Sequence, residues 1–281
     1  MPDSNVDPNL TAFDASQLRR ALLDLKAESA VGEVHVLSTT SSTNDEASLL
    51  ARSMAKNKSI VFAENQSAGR GRRGNQWSAP PGRDLLFSLL LYPDLTESNL
   101  AQRSMRLPHL VAVAIARTFD QILPEIVSQL KWPNDIYVNG KKVAGILIES
   151  SSISGRAHYI VGVGINVNSL SSERPAELQS TASSLHEECR HSVNRHQIAA
   201  AFLANFDQLY PRALQDFSTV SKELQQRSLL IGHEITATLE AEKITGKVIG
   251  FADNGEMVLE TSSAHGIQQK IIHSADQVRL R

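Results

Sequence analysis

The sequence predicts a main domain that mixes helices and strands, of the α/β or α+β class with a mixed sheet, followed by a small β-barrel. Helix-like and strand-like patterns alternate as far as residue 227, and from about Ser228 the chain changes to short strands rich in valine, isoleucine and threonine. Asn139 and Gly140 form a strong hairpin-turn signal between two predicted strands. A chain of 281 residues is long enough for one large and one small core.

The first part of the chain is predicted to begin with a tail and an amphipathic helix. Residues 1–12 are polar with two prolines and predict a poorly ordered tail. Leu18, Leu22 and Leu25 recur at helical spacing and predict a helix over residues 14–28. Further helices are predicted over 44–55 and 100–123, and strands over 33–37, 59–63 and 85–92. Residues 64–82 are rich in glycine, arginine, serine and proline, which predicts a loop.

The second part continues with four predicted strands, over 126–131, 136–138, 142–150 and 157–167. Residues 169–179 are polar and predict a loop, and two helices are expected over 194–210 and 211–226. The last fifty residues predict strands over 233–239, 243–251, 257–260 and 268–273.

Composition excludes several classes of protein. The net charge of −2 provides no general attraction to nucleic acid or membrane, so any basic site must be local. A single cysteine, Cys189, rules out an internal disulfide and suits a reducing compartment. The N-terminus lacks the features of a secretory signal, and the longest apolar stretch is interrupted by His109 and Arg117. We therefore expect a cytoplasmic protein.

The segment from Gly69 to Gly74 reads GRGRRG and formally matches a dinucleotide-binding fingerprint. The match is unconvincing, because a Rossmann turn must open directly into a helix and the next residues include Pro80 and Pro81. Arginines that alternate with glycines suit carboxylate or phosphate oxygens instead. From the loop alone, an anion cradle is favoured over a solvated loop, and both interpretations stay open.

Three further segments have unusual composition. Residues 131–135 present Lys, Asn and Asp together in a shaped connection between strands, although a plain turn is equally consistent. Lysines 141 and 142 precede a buried apolar strand and either reach into a cleft or simply flank a hairpin. Gly162 and Gly164 lie inside a strand, where glycine is unfavourable unless a bulge or a close approach requires it, and they suggest a ligand packed against the strand.

Together these segments closely resemble the bacterial biotin protein ligase family. The matching blocks are STN (42–44), AENQSAGRGRRGNQW (63–77), KWPND (131–135), KVAGILIE (142–149) and GVGINVN (162–168). The resemblance implies an α+β fold: a mixed-sheet catalytic domain over 31–227, an SH3-like β-barrel over 228–281, and a tail and helix over 1–30. It also implies an enzyme that adenylates biotin with Mg²⁺ and ATP and transfers it to a lysine of a biotin carboxyl carrier protein.

The resemblance further implies a role for individual residues. Lys142, Arg72 and Arg70 would be the catalytic cations. The glycine loop would be a lid that orders over the adenylate. Ser42, Thr43 and Gln66 would line the biotin head group, and Trp77 would stack on adenine. The implied biotin site comprises Ser42, Thr43, Asn44, Gln66, Gly69, Arg70, Gly71, Arg72, Lys142, Gly145 and Gly162. The implied ATP site comprises Arg72, Trp77, Lys131, Asn134, Asp135, Lys142 and Asn166.

Two alternative functions fit the sequence less well. A lipoate ligase is the nearest enzyme alternative, and a repressor is disfavoured because only about thirty residues precede the first predicted catalytic strand. We therefore expect no DNA binding, no membrane association and a possible homodimer. His186, Cys189, His191 and His196 match no common zinc spacing, so no protein metal site is expected beyond transient Mg²⁺ with ATP.

Overall fold

The computed structural model describes residues 7–93, 100–153, 155–240, 242–263 and 266–281. Residues 1–6 of the predicted tail lie outside the described residues. The helices are α1 (Ala15–Asp24), α2 (Thr43–Arg52), α3 (Leu100–Ile122), α4 (Ala176–Gln179), α5 (Leu185–Cys189), α6 (Arg195–Gln215) and α7 (Ser218–Gln226). The strands of the main domain are β1 (Val34–Leu37), β2 (Ile60–Ala63), β3 (Leu85–Leu91), β4 (Ser128–Lys131), β5 (Asp135–Val138), β6 (Lys141–Ile153) and β7 (Arg156–Ile165).

The main domain is built on a seven-stranded sheet in the order β1-β2-β3-β7-β6-β5-β4. Strands β1 and β2 are parallel and the other neighbours are antiparallel, which confirms the mixed sheet. The predicted turn between β5 and β6 is confirmed, since Asn139 and Gly140 have φ of 49° and 77°. The fold is therefore α+β.

The two faces of the sheet are covered by different helices. On one face, α1, α3 and α6 bury the main core, in which Phe87 of β3 packs 5.4 Å from Phe62 and 5.2 Å from Phe202, measured between ring centroids. On the other face, α2 packs a smaller cluster against Leu90 and Ile160. Because side chains alternate along a strand, Gly162 and Gly164 of β7 face the side on which α2 lies.

Three local predictions need correction. Helix α6 continues through Pro211, and the break falls at Asp216 and Phe217, where the Asp216 carboxylate accepts the backbone N–H of Ser218. The residues predicted as a loop over 169–179 include the short helix α4. The sequence does not predict the C-terminal strand Gln277–Leu280, because its four residues carry a weak pattern.

The C-terminal module is an antiparallel sheet that docks onto the main domain. Its strands are β8 (Glu234–Leu239), β9 (Glu242–Phe251), β10 (Met257–Ser263), β11 (Gly266–Ile272) and β12 (Gln277–Leu280), in the order β11-β10-β9-β8-β12. The Trp132 indole nitrogen donates to the Gly255 carbonyl at 2.9 Å, and Asn254 accepts from Gln102 and Arg106. These contacts place the module beside the β4–β5 connection. No helix in the described residues is long and apolar enough to cross a membrane.

Candidate active site

A cavity of about 340 Å³ opens on the face of the sheet that α2 covers. It is bounded by the start of α2, the arginine loop (residues 69–74), the β4–β5 connection and the C-terminal module. The predicted site residues that line it are Ser42, Thr43, Asn44, Gln66, Arg70, Gly71, Arg72, Trp77, Lys131, Asn134, Asp135, Lys142, Gly145 and Gly162. The structure thus gathers segments that are distant in sequence around one space.

One end of the cavity is neutral and polar. The Gln66 side-chain oxygen accepts from the Thr43 backbone N–H at 2.7 Å and lies 3.1 Å from the Thr43 hydroxyl. Gln66 therefore caps the first turn of α2, where the backbone N–H groups lack helical partners. The buried Ser88 hydroxyl lies 2.8 Å from Thr43 Oγ1 and 2.6 Å from Asn44 Oδ1. This end offers amide and hydroxyl groups in fixed positions.

Gly162 allows the polar end to pack closely. A Cβ at this position would lie 2.3 Å from Asn44 Oδ1 and 3.0 Å from the Leu147 carbonyl oxygen. Asn44 cannot retreat easily, because its amide nitrogen donates to Glu149 at 2.8 Å and its oxygen accepts from Ser88. The close approach of the Asn44 side chain therefore accounts for a glycine at this position, and packing of a ligand against the strand stays a prediction.

The arginines of the loop have different environments. Arg70 is held by Asp45 at 2.5 Å and by Glu149 at 3.2 Å, and the Asp45 hydrogen bond raises the Arg70 pKa. Arg72 is half-buried, and burial with the neighbouring Arg73 lowers its pKa below the usual arginine value. Arg72 therefore presents the less well neutralised charge to the cavity. Arg70 therefore lines the cavity with its charge already paired to two carboxylates.

Lysine side chains make the opposite end of the cavity cationic. Lys142 Nζ lies 2.7 Å from Asp135 Oδ1. Lys131 lies close enough to Lys142 and Asp135 that both affect its pKa. Burial is the main cause that lowers the pKa of Lys131, with Lys142 acting in the same direction and Asp135 against it. Asn134 donates to the Ile146 carbonyl at 2.7 Å, which fixes the β4–β5 connection.

A β-bulge brings Lys142 into the site. The register between β5 and β6 shifts so that Val143 is an extra residue, with Lys142 opposite Tyr137 and Ala144 opposite Ile136. Three residues apart, Lys142 and Gly145 would face opposite sides of a regular strand. The bulge puts them on one side, since the Lys142 ammonium would be 3.1 Å from a Cβ at Gly145.

Trp77 lies flat against two glycines. A Cβ at Gly164 would be 2.4 Å from the indole, and one at Gly145 would be 2.8 Å from it. The Lys142 ammonium is 5.4 Å from the ring centroid, within cation–π range. Gly164 belongs to the cavity lining although it was not among the predicted site residues. Stacking of Trp77 on adenine stays a prediction.

Two predicted site residues do not line the cavity. Gly69 packs beneath the Trp77 backbone, where a Cβ would be 2.5 Å from the Trp77 carbonyl oxygen. Asn166 is buried, and its side-chain amide donates to the Ser183 carbonyl at 2.8 Å. Both have supporting contacts in this structure, and contacts of Gly69 with biotin and of Asn166 with a nucleotide stay predictions.

Sequence reasoning missed the contribution of the C-terminal module. Residues 275–279 line the cavity beside the arginine loop. The Arg72 guanidinium approaches the Ala275 carbonyl at 3.4 Å, and Arg73 forms an ion pair with Asp276 at 2.9 Å. Asn75 and Gln76 also line the cavity without having been predicted.

The histidine and cysteine residues around 186–196 do not lie at the cavity. His196 accepts the Asp14 backbone N–H at 2.9 Å. Glu125, Cys189 and His191 have ligand atoms within 4.8 Å of one another, on an exposed to half-buried part of the surface. Their arrangement does not test the expectation that the protein holds no resident metal.

Known proteins match this chain in both sequence and fold. The family model described as the Biotin/lipoate A/B protein ligase family matches residues 36–166. Among curated relatives, the bifunctional ligase/repressor BirA of Bacillus subtilis is 34% identical over 243 residues, which cover 86% of this chain and 71% of that protein. The biotin–[acetyl-CoA-carboxylase] ligase of Paracoccus denitrificans is 32% identical over 235 residues, covering 80% of this chain and 92% of that protein.

Solved structures give the same result. The biotin protein ligase from Aquifex aeolicus in complex with biotin and ATP superimposes with a TM-score of 0.73 and 30% identity. That match covers 89% of this chain and 98% of the Aquifex chain. The protein therefore belongs to the biotin protein ligase family.

Proposed function

We propose that this protein activates biotin with ATP to give biotinyl-5'-AMP and transfers the biotinyl group to a lysine of a biotin carboxyl carrier protein. A single observation carries the proposal: one cavity is lined both by the uncharged polar groups of Thr43 and Gln66 and by the cations Lys142 and Arg72. Relatives whose names specify biotin and acetyl-CoA carboxylase, and a structural neighbour with biotin and ATP, support the choice of substrates.

The first step joins two anions and therefore needs positive charge. A biotin carboxylate oxygen attacks the α-phosphorus of ATP, and pyrophosphate leaves. Lys142 and Arg72 line the cavity and would offset the charge of the two approaching groups, and Asp135 holds the Lys142 ammonium at 2.7 Å. In the second step, the deprotonated acceptor amine attacks the carbonyl of the mixed anhydride and AMP leaves.

Magnesium fits this site as a companion of ATP. Among the described residues, the buried Asp135 Oδ1 is engaged only by the Lys142 ammonium. A carboxylate oxygen beside phosphate groups is a typical Mg²⁺ ligand. We propose that Asp135 would hold the ion, which would neutralise phosphate charge. Omitting Mg²⁺ is expected to abolish adenylation.

The decisive experiment is incubation of the protein with biotin, Mg·ATP and a carrier domain, followed by a streptavidin blot. Labelling of the carrier that is lost in Lys142→Ala supports the proposal, and an unlabelled carrier contradicts it. ATP–pyrophosphate exchange with biotin or lipoate as the acid tests the nearest alternative. If only lipoate supports exchange, then lipoate and not biotin is the substrate.

Three broader expectations belong to the same proposal. We propose a cytoplasmic protein that does not bind DNA and that can form a homodimer. Cell fractionation, a gel shift with operator-length duplexes, and sedimentation in the presence of biotin and ATP test these expectations separately.

A further inference from the structure

A buried arginine lies behind the candidate site, on the opposite side of the sheet. Arg195 is the first residue of α6 and is only 2% exposed. A positive charge is unfavourable both in the protein interior and at a helix N-terminus, where the helix dipole is also positive. Its retention there requires partners that compensate for both effects.

The Arg195 guanidinium has four oxygen contacts. It donates to both carboxylate oxygens of Glu64, at 2.8 and 3.1 Å, and to the carbonyls of Thr11 and Asp84 at 2.8 and 3.1 Å. Glu64 additionally accepts the backbone N–H of Phe13. One planar guanidinium thus fixes the segment around Thr11, the residue that follows β2 and the residue that precedes β3.

Glu64 connects this arginine to the polar end of the cavity. Beyond β2 the chain stays paired with residues 37–41, since Glu64 N–H donates to Leu37 and Thr40 N–H to Asn65. Two residues after Glu64, Gln66 forms a bridge with Thr40 and caps α2 at Thr43. The position of Glu64 therefore determines where the Gln66 amide lies.

A second connection from the same place reaches β7. The carbonyl of Asp84 accepts from Arg195, while its carboxylate accepts the backbone N–H groups of Val167 and Ser169 at 2.8 and 3.1 Å. Residue 84 also precedes β3, whose Ser88 hydroxyl contacts Thr43 and Asn44. The route through Glu64 and the route through β3 therefore both end at the polar end of the cavity, at Gln66 and at Thr43 with Asn44.

We propose that Arg195 is a positioning residue for biotin recognition, acting through Glu64 on Gln66. The inference rests on the proposed function, because it assigns the polar end of the cavity to biotin. The proposal predicts different effects on the two substrates, because Arg195 supports only the polar end of the cavity. At the cationic end, Asp135 holds Lys142, and Asn134 and the C-terminal module hold Arg72.

The test measures substrate dependence in ATP–pyrophosphate exchange for Arg195→Lys and Glu64→Gln. Lysine keeps the charge but lacks the planar fork, and glutamine keeps the shape of Glu64 and an oxygen for the Phe13 N–H. Each variant is expected to raise the KM for biotin about tenfold, equivalent to about 1.4 kcal/mol, with the KM for ATP within about twofold. The double variant should raise it less than the product of the two single effects.

The matched control is Arg117→Met, which removes the ion pair between Arg117 of α3 and Glu223 of α7, away from the cavity. It should lower thermal stability while both KM values stay at the wild-type level. An unchanged biotin KM in folded Arg195→Lys and Glu64→Gln overturns the inference, as do equal changes in both KM values. If neither variant folds, the pair is a folding requirement alone and the inference is wrong. If the wild-type protein shows no biotin-dependent exchange, the proposed function itself fails.

Discussion

Replacing Gly162 by alanine should disrupt the polar end of the cavity. The new Cβ would lie 2.3 Å from Asn44 Oδ1, about 1 Å closer than ordinary contact, and the Leu147 carbonyl at 3.0 Å blocks movement of the strand. Asn44 must therefore shift, which breaks its hydrogen bonds to Glu149 and Ser88. Loss of one buried hydrogen bond and one partly buried hydrogen bond to a carboxylate predicts a destabilisation of about 2–4 kcal/mol.

Urea unfolding and ATP–pyrophosphate exchange measure the two consequences together. Gly162→Ala should unfold at lower urea concentration and show a raised KM for biotin. Gly250→Ala is the matched control, because the nearest atom to its Cβ would be Gln225 Oε1 at 3.6 Å, an ordinary contact. Wild-type stability and biotin KM in Gly162→Ala would show that Asn44 moves freely, and the reasoning from close packing would then be wrong.

Three other predictions concern the cations, the loop and the pH dependence of stability. Lys142→Ala and Arg72→Ala should each reduce biotinyl-adenylate formation by at least about 100-fold while the protein stays folded; normal adenylate formation in either variant would contradict the assigned roles. Biotin with ATP should slow tryptic cleavage after Arg72, because the arginine loop is expected to order over the adenylate; cleavage at an unchanged rate would argue against a lid. Burial lowers the pKa of His109 from its usual 6.5 to about 4, so the unfolded chain binds more protons between these values. Stability from this group is therefore lost as pH falls from 6.5 towards 4, by roughly 3 kcal/mol in total. Melting temperatures of the wild type and His109→Gln should fall with different slopes as pH decreases across this range, with the shallower slope in the variant; parallel curves would mean that His109 is not the titrating group.

Most of the fold was predictable because the signals were local. Helical spacing identified α1, α2 and α3, and the Asn139–Gly140 turn fixed the β5–β6 hairpin. The predicted helix boundary at Pro211 was wrong. A proline within a helix is usually disruptive, yet α6 accommodates Pro211 before its last turn.

The candidate site was predictable where a residue lies in a motif and unpredictable where its neighbours are distant in sequence. Arg72 and Ala275 are 203 residues apart, so no local pattern links the loop to the C-terminal module. The bulge that puts Lys142 beside Gly145 also cannot be predicted from the sequence, because Val143 looks like any buried strand residue. Glu64 lies within a recognised block, but its pairing with Arg195 spans 131 residues.

The docking of the C-terminal module has a consequence for how such proteins can diverge. Two of its contacts with the catalytic domain use main-chain carbonyls, those of Gly255 towards Trp132 and of Ala275 towards Arg72. A carbonyl is present whatever the side chain, so point mutations can accumulate in the module while its turns keep their geometry, except at Gly255, whose φ of 89° favours glycine. An insertion or deletion that displaced either turn would separate the carbonyl from its donor. The module should therefore tolerate changes of residue type far better than changes of length.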